Sequence, residues 1–199
     1  MIQSKLTTLA TERSELELPL LSRDSIKWLE EKIKEIRRPT QVAKDISRER
    51  SRQTFRLLKG RMYCYYYNPI GKKDLPYYDI FPMVILLDKY EDGFLGLNLH
   101  YLPYRYRLAF LRKLVDYASF DNDDNVVKLR ITYDILQSSR RFKEFRPCIK
   151  KYLYSQIRSK MLTIQPNEWE IASFLPVHQF KGEKPGRIWA ESIQEIRKS

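Results

Sequence analysis

The chain has 199 residues, 43% hydrophobic, 13% aromatic and 31% charged, with only six glycines. That composition can fill the core of about one domain, and it excludes a disordered or collagen-like chain. Thirty-seven Lys and Arg against 25 Asp and Glu give a net charge of +12, which points to a polyanionic partner.

Residues 1–21 alternate polar and apolar without a firm period and are expected to form an arm, set off by Pro19. Ser22 or Asp24 can cap a helix whose face carries Ile26, Leu29, Ile33 and Ile36 and which should end before Pro39. A second helical stretch, Thr40 to Arg52, is made basic by Lys44, Arg48, Arg50 and Arg52. Its few apolar anchors suit a linker helix on a partner's surface. At Gly60 the period turns extended. Met62 to Tyr67 reads as an aromatic strand ended by Asn68-Pro69-Ile70-Gly71, followed by Met83 to Leu87, the hairpin signal Asp92-Gly93, and Phe94 to Leu99. Beyond Pro103 a helix places Tyr104, Leu108, Leu111 and Val115 on one face. A turn at 121–125 and a short element from Lys128 to Leu136 lead to a basic run. Pro147 is then expected to open a helix to about Lys160. A helical turn around Trp169 and a terminal helix from Arg187 complete the chain. The expected fold is α+β: a central three-stranded antiparallel meander flanked by helices, with an N-terminal helical arm. The expected division is residues 1–56, an arm with one or two helices, and 57–199, the compact α+β domain.

The longest apolar run, Phe81 to Leu87, contains a proline and is too short to cross a bilayer, and Met1 to Ala10 lacks the order of a secretory signal. A soluble, unsecreted protein is expected. Cys64 and Cys148 are too few for a disulfide framework or a cysteine zinc site and read as buried thiols in a reducing compartment.

Catalytic machinery has little support. His100 and His178 have no second ligand at helical spacing, so no metal site is expected, and His100 reads as a hydrogen-bonded core residue. Asp74, Asp79, Asp88 and Asp92 flank strands, but the spacing of carboxylate, one residue and lysine that a metal-dependent nuclease would use is missing. There is no phosphate-binding glycine loop, dinucleotide fingerprint or serine elbow. No cofactor and no small-molecule substrate are expected.

The basic surplus is regional. Residues 1–60 carry +5, 61–100 carry −1, 101–160 carry +8 and 161–199 carry zero. Arg140, Arg141, Lys143, Arg146, Lys150, Lys151, Arg158 and Lys160 stand against one acid, Glu144. On the expected helix, Lys150, Lys151, Tyr154 and Arg158 share one arc and Ile149, Leu153 and Ile157 the opposite flank, so one side can pack while the other meets phosphate. Arg140, Arg141, Lys143, Arg146, Lys150, Lys151, Tyr154 and Arg158 are therefore the candidate nucleic-acid-binding residues. Nucleic acid is favoured over membrane because no basic amphipathic terminus with exposed Trp or Phe is present. Tyr63, Tyr65, Tyr66 and Tyr67 could stack on bases, but strand alternation sends at least one pair into the core.

Particular strings add to this. Gly60-Arg61-Met62-Tyr63, Asn68-Pro69, Leu75-Pro76-Tyr77-Tyr78-Asp79 with Phe81-Pro82, and the run from Gly93 to Pro103 belong to one set. Arg146-Pro147-Cys148-Ile149-Lys150-Lys151-Tyr152-Leu153 and Glu168-Trp169-Glu170-Ile171-Ala172 with Phe174-Leu175-Pro176 belong to it too. Over about residues 57–192 the chain resembles a family of small virion proteins of T-even-type tailed phages, the DNA end protectors. The resemblance implies a packaged, non-catalytic protein that binds duplex DNA ends and shields them from host exonuclease. It would reside in the virion, near portal, neck or tail proteins, and in the host cytoplasm during assembly and after the DNA enters. A structural neck, tail or baseplate component, docking through the basic face and the arm, is the alternative.

Overall fold

Alternation of side chains along extended segments divides the apolar residues between two faces of one sheet. Met62, Cys64, Met83, Ile85, Leu87, Leu97, Leu162 and Ile164 pack into the larger core, and Tyr63, Tyr65, Tyr67, Val84, Leu86, Phe94, Tyr152 and Met161 form a second cluster. The computed structural model describes residues 3–118 and 143–198, and its architecture is α+β. The strands are β1 (Gln53–Thr54), β2 (Met62–Cys64), β3 (Tyr78–Asp79), β4 (Met83–Lys89), β5 (Gly93–Asn98), β6 (Ile149–Leu153), β7 (Met161–Ile164) and β8 (Phe180–Lys181). Six of them form an antiparallel sheet in the order β1-β7-β2-β4-β5-β6, and β3 pairs with β8 separately. The sheet is thus wider than the expected three-stranded meander. β2, β4 and β5 are neighbours at its centre, and β6 and β7, from the second half of the chain, extend it on either side.

Two glycines in β5 permit the close approach of its neighbours. A Cβ on Gly96 would lie 2.0 Å from Val84 Cγ1, and one on Gly93 would lie 2.0 Å from the Tyr152 carbonyl oxygen.

Three helices precede the sheet: α1 (Lys5–Glu15), α2 (Arg23–Lys34) and α3 (Pro39–Arg48). Ser22 caps α2, its side chain accepting from the Ser25 N–H at 3.1 Å. Leu6 and Leu9 of α1, Leu29 of α2, and Val42, Ala43 and Ile46 of α3 are buried in the same core as the sheet. The irregular arm expected at 1–21 is therefore in part a packed helix. The sparse apolar anchors of α3 suffice to seat it on its own molecule rather than on a partner. Helices α4 (Tyr104–Ala118), α5 (Trp169–Phe174) and α6 (Pro185–Lys198) follow.

Polar contacts fix the N-terminal helices. Arg52, nearly buried, is bidentate to Glu168 at 2.7 and 2.6 Å and pairs with Glu49, whose Oε1 accepts from the Ser4 N–H and the Thr7 hydroxyl, each at 2.7 Å. Glu170, also buried, accepts from Ser25 Oγ at 3.1 Å and from Arg13 at 3.4 Å. The basic character of Arg52 is thus engaged in the fold and not offered to a partner.

The helix expected from Pro147 to Lys160 is absent. Residues Lys143–Cys148 form a 3₁₀ segment, Ile149–Leu153 are β6, and Tyr154–Gln156 are a second 3₁₀ turn. Ile149, Leu153 and Ile157 fit a helical arc in the sequence, but pairing of β6 with β5 from Gly93 to Leu97 captures the segment as an edge strand. Cys64 and Cys148 are buried, and burial pushes both thiols up, that of Cys148 to about 12.

Candidate nucleic-acid interface

The second face of the sheet is aromatic, and a thin cover lies over it. Tyr65 makes edge contacts with Phe94 at 5.8 Å and Tyr152 at 5.5 Å, and Tyr152 meets Tyr67 at 5.0 Å. The tyrosine run after Gly60 is therefore mainly core, with Tyr63, Tyr65 and Tyr67 buried. Leu57 and Ile157, from two irregular segments, pack against this cluster. Between those segments opens a groove of about 660 Å³.

The groove joins a long-range set of residues: Phe55 and Thr54 from the first segment, Lys89 from the end of β4, and Tyr154, Arg158 and Lys160 from the turn before β7. Phe55 is 86% exposed, and Lys160 Nζ lies 5.6 Å from its ring centre. Tyr154 is exposed and rests at 5.9 Å on Phe94, so the buried aromatic cluster continues to the surface. Arg158 is held by its backbone, its N–H donating to the Tyr66 carbonyl at 2.8 Å, and its guanidinium donates to Gln156 Oε1 at 3.1 Å. Lys89 Nζ donates to the Leu57 carbonyl at 3.3 Å. Among the described residues, none that lines the groove is acidic. Three cations with two exposed rings can bind phosphate and stack on bases.

The sequence-predicted residues divide among different places. Tyr154 and Arg158 meet in the groove. Lys150 and Lys151, expected side by side on a helix, are successive strand residues and point to opposite faces. Lys151 is exposed, pairs with Asp92 at 2.8 Å and lies 5.7 Å from the Tyr90 ring. Lys150 is half-buried over the Tyr101 ring at 4.6 Å, and burial lowers its pKa. Arg146 is exposed in the 3₁₀ segment that Lys143 opens. Arg140 and Arg141, like the turn at 121–125 and the element expected from Lys128, lie outside the described residues. Phe55, Lys89 and Lys160 complete the groove. Lys160 was already visible in the basic run, whereas no periodicity marks Phe55 as exposed.

Of the acidic residues weighed for a nuclease, Asp79, Asp88 and Asp92 are engaged in contacts of the fold and Asp74 is exposed. Asp79 is buried, accepting from His100 Nδ1 at 2.7 Å, Asn98 Nδ2 at 3.2 Å, and the N–H groups of Phe81 at 3.1 Å and Gln179 at 3.2 Å. Burial holds the His100 pKa below its usual value, Arg107 acts in the same sense, and the Asp79 carboxylate in contact with its Nδ1 opposes them. His100 is thus a hydrogen-bonded core residue. His178, distant in sequence, meets it ring to ring at 5.7 Å. Arg107, fully buried, donates to the carbonyls of Leu102, Ser173 and His100 and stacks on Tyr104 at 4.7 Å. Asp88 pairs with Lys59 at 2.5 Å. Among the described residues no group of three His, Cys, Asp or Glu is arranged to hold a metal, and no helix is long and apolar enough to cross a membrane.

Comparison with known proteins gives a family match that spans nearly all of this architecture. Residues 19–194 match the family model described as phage T4 terminal DNA protecting protein. No curated protein and no solved structure matches the chain. The matched span includes the sheet, the aromatic face and every groove residue, and the chain belongs to the phage T4 terminal DNA protecting protein family.

Proposed function

We propose that this phage protein binds the ends of packaged duplex DNA and shields them from exonuclease without itself catalysing a reaction. The observation that carries the proposal is the groove of Phe55, Lys89, Tyr154, Arg158 and Lys160, cationic and aromatic with no acid among the described residues of its lining. The family's name supplies the idea of ends. Phosphate contacts from Lys and Arg give affinity without reading sequence, and an exposed ring can stack on a terminal base pair and deny it to a nuclease. Arg146 and Lys150 would extend the cationic surface along the DNA, and Arg140, Arg141 and Lys143 would add phosphate contacts by their charge. Lys151 contributes least because Asp92 already neutralises it. The protein would act in the virion beside portal, neck or tail proteins, and in the host cytoplasm once the DNA has entered.

A salt titration tests the groove. Each phosphate contact adds about 0.9 to the negative slope of log affinity against log salt, so Arg158→Ala/Lys160→Ala should lower that slope by about two on blunt linear DNA. An unchanged slope would remove the groove from the DNA site. Absence of binding at low salt, with co-purification at fixed stoichiometry on neck or tail particles, would favour a structural virion role.

A further inference from the structure

Beside the edge strand β6 a second cavity, of about 480 Å³, opens on the aromatic face. Its walls include Tyr67, Tyr77, Tyr101 and Tyr152, and Ile70 and Leu75 line it as exposed apolar side chains. Lys150 projects into it, with its ammonium 4.6 Å from the Tyr101 ring centre. Among the described residues no carboxylate pairs with that ammonium. Asp79 also lines the cavity, but its oxygens are committed to His100, Asn98 and backbone N–H groups. A half-buried lysine that only the longer-range charge of Glu195 reaches, with no close ion-pair partner among the described residues, in a pocket walled by rings, matches a ligand that is a flat aromatic group carrying an anion.

We propose that this cavity takes a nucleoside 5′-monophosphate, namely the 5′-phosphorylated terminal nucleotide of a duplex, with its phosphate on Lys150 and its base among the tyrosines. The inference rests on the end-binding reading above and deepens it. The groove would hold the duplex through sequence-independent phosphate contacts, while the cavity would distinguish a terminus from continuous DNA, because only a terminus can fray a nucleotide into it. A volume of about 480 Å³ falls in the ordinary range for small-molecule sites, about 300–1,000 Å³.

The test is fluorescence anisotropy with the full chain, on blunt duplexes carrying either a 5′-phosphate or a 5′-hydroxyl, together with titration of deoxyadenosine monophosphate. The phosphorylated end should bind about tenfold more tightly, as expected of one charge-assisted contact. Lys150→Gln should abolish that preference and Lys150→Arg should restore part of it. Ile70→Glu, a change at an exposed side chain that cannot unsettle the core, should also reduce it by placing a carboxylate near the cavity. Equal affinity for the two ends, with salt-dependent DNA binding intact, would overturn the cavity assignment and leave the end-binding proposal standing. Lys150-dependent binding of the free nucleotide, with no binding of any duplex, would keep the nucleotide site, make free nucleotide its source and overturn the end-binding proposal. Neither nucleotide binding nor a phosphate preference would overturn the cavity assignment outright.

Discussion

Phe55 has the highest fractional exposure among the exposed large hydrophobic residues of the described chain, at 86%. A lone exposed phenylalanine needs no explanation, but this one sits against Lys160 in a groove with no acid among its described lining residues. Phe55→Ala should weaken binding to linear duplex by about tenfold or more, as loss of one base-stacking contact does, and leave the melting temperature unchanged. Equal affinity in an anisotropy titration would remove the ring from the contact surface. His178 belongs to the fold instead. Burial first, then His100 and Arg107, hold its pKa down to about 3, against an ordinary value near 6.5. A group depressed in the folded state gives stability that is complete above the unfolded pKa and is lost as pH falls through the folded value. Thermal stability should therefore decline as pH falls from about 6.5 toward 3. His178→Gln should flatten that decline, which a melting series across pH would show.

At the scale of elements, β6 is the strand on which the account turns. Its pairing with β5 requires a residue without a side chain at Gly93, where a Cβ would meet the Tyr152 carbonyl and the Leu153 Cα. Backbone cannot rotate aside as a flexible side chain can, so Gly93→Ala should cost about 1–3 kcal/mol in urea unfolding. It should also weaken DNA binding, by displacing the turn that carries Tyr154 and Arg158. This strand was also where the sequence misled. Ile149, Leu153 and Ile157 fit a helical arc, while the residues that make the segment a strand, Gly93 to Leu97, lie more than 50 positions earlier. Local signals served better elsewhere: Ser22 before an apolar period marked α2, and Asp92-Gly93 marked the β4–β5 hairpin. Tyr154 and Arg158 could be found from charge and ring content alone. Their meeting with Phe55 and Lys89 depends on tertiary packing, which periodicity does not encode. Helix α3 makes the same point, because Val42, Ala43 and Ile46 are few but aligned, and Ile46→Ala should destabilise the protein by about 2–5 kcal/mol.

For the whole molecule, the division of labour follows from the two faces of the sheet. One face is thickly covered by helices, including the three of the first 48 residues, tied down through Arg52, Glu49 and Glu168. Among the described residues the other bears irregular segments over an aromatic cluster, so cations and rings can stand together at its surface. A protein that must hold a polyanion without reading its sequence gains from this arrangement, because the rigid sheet positions the contacts and the thick face stabilises the fold independently of them. The most direct measurement of the central claim is exonuclease protection of blunt linear duplex by the full chain, with closed circles of equal length as competitor. The account predicts protection that falls as salt rises and that circles compete for only weakly. Circles competing as well as linear duplex, or unprotected ends on DNA that is visibly bound, would contradict it.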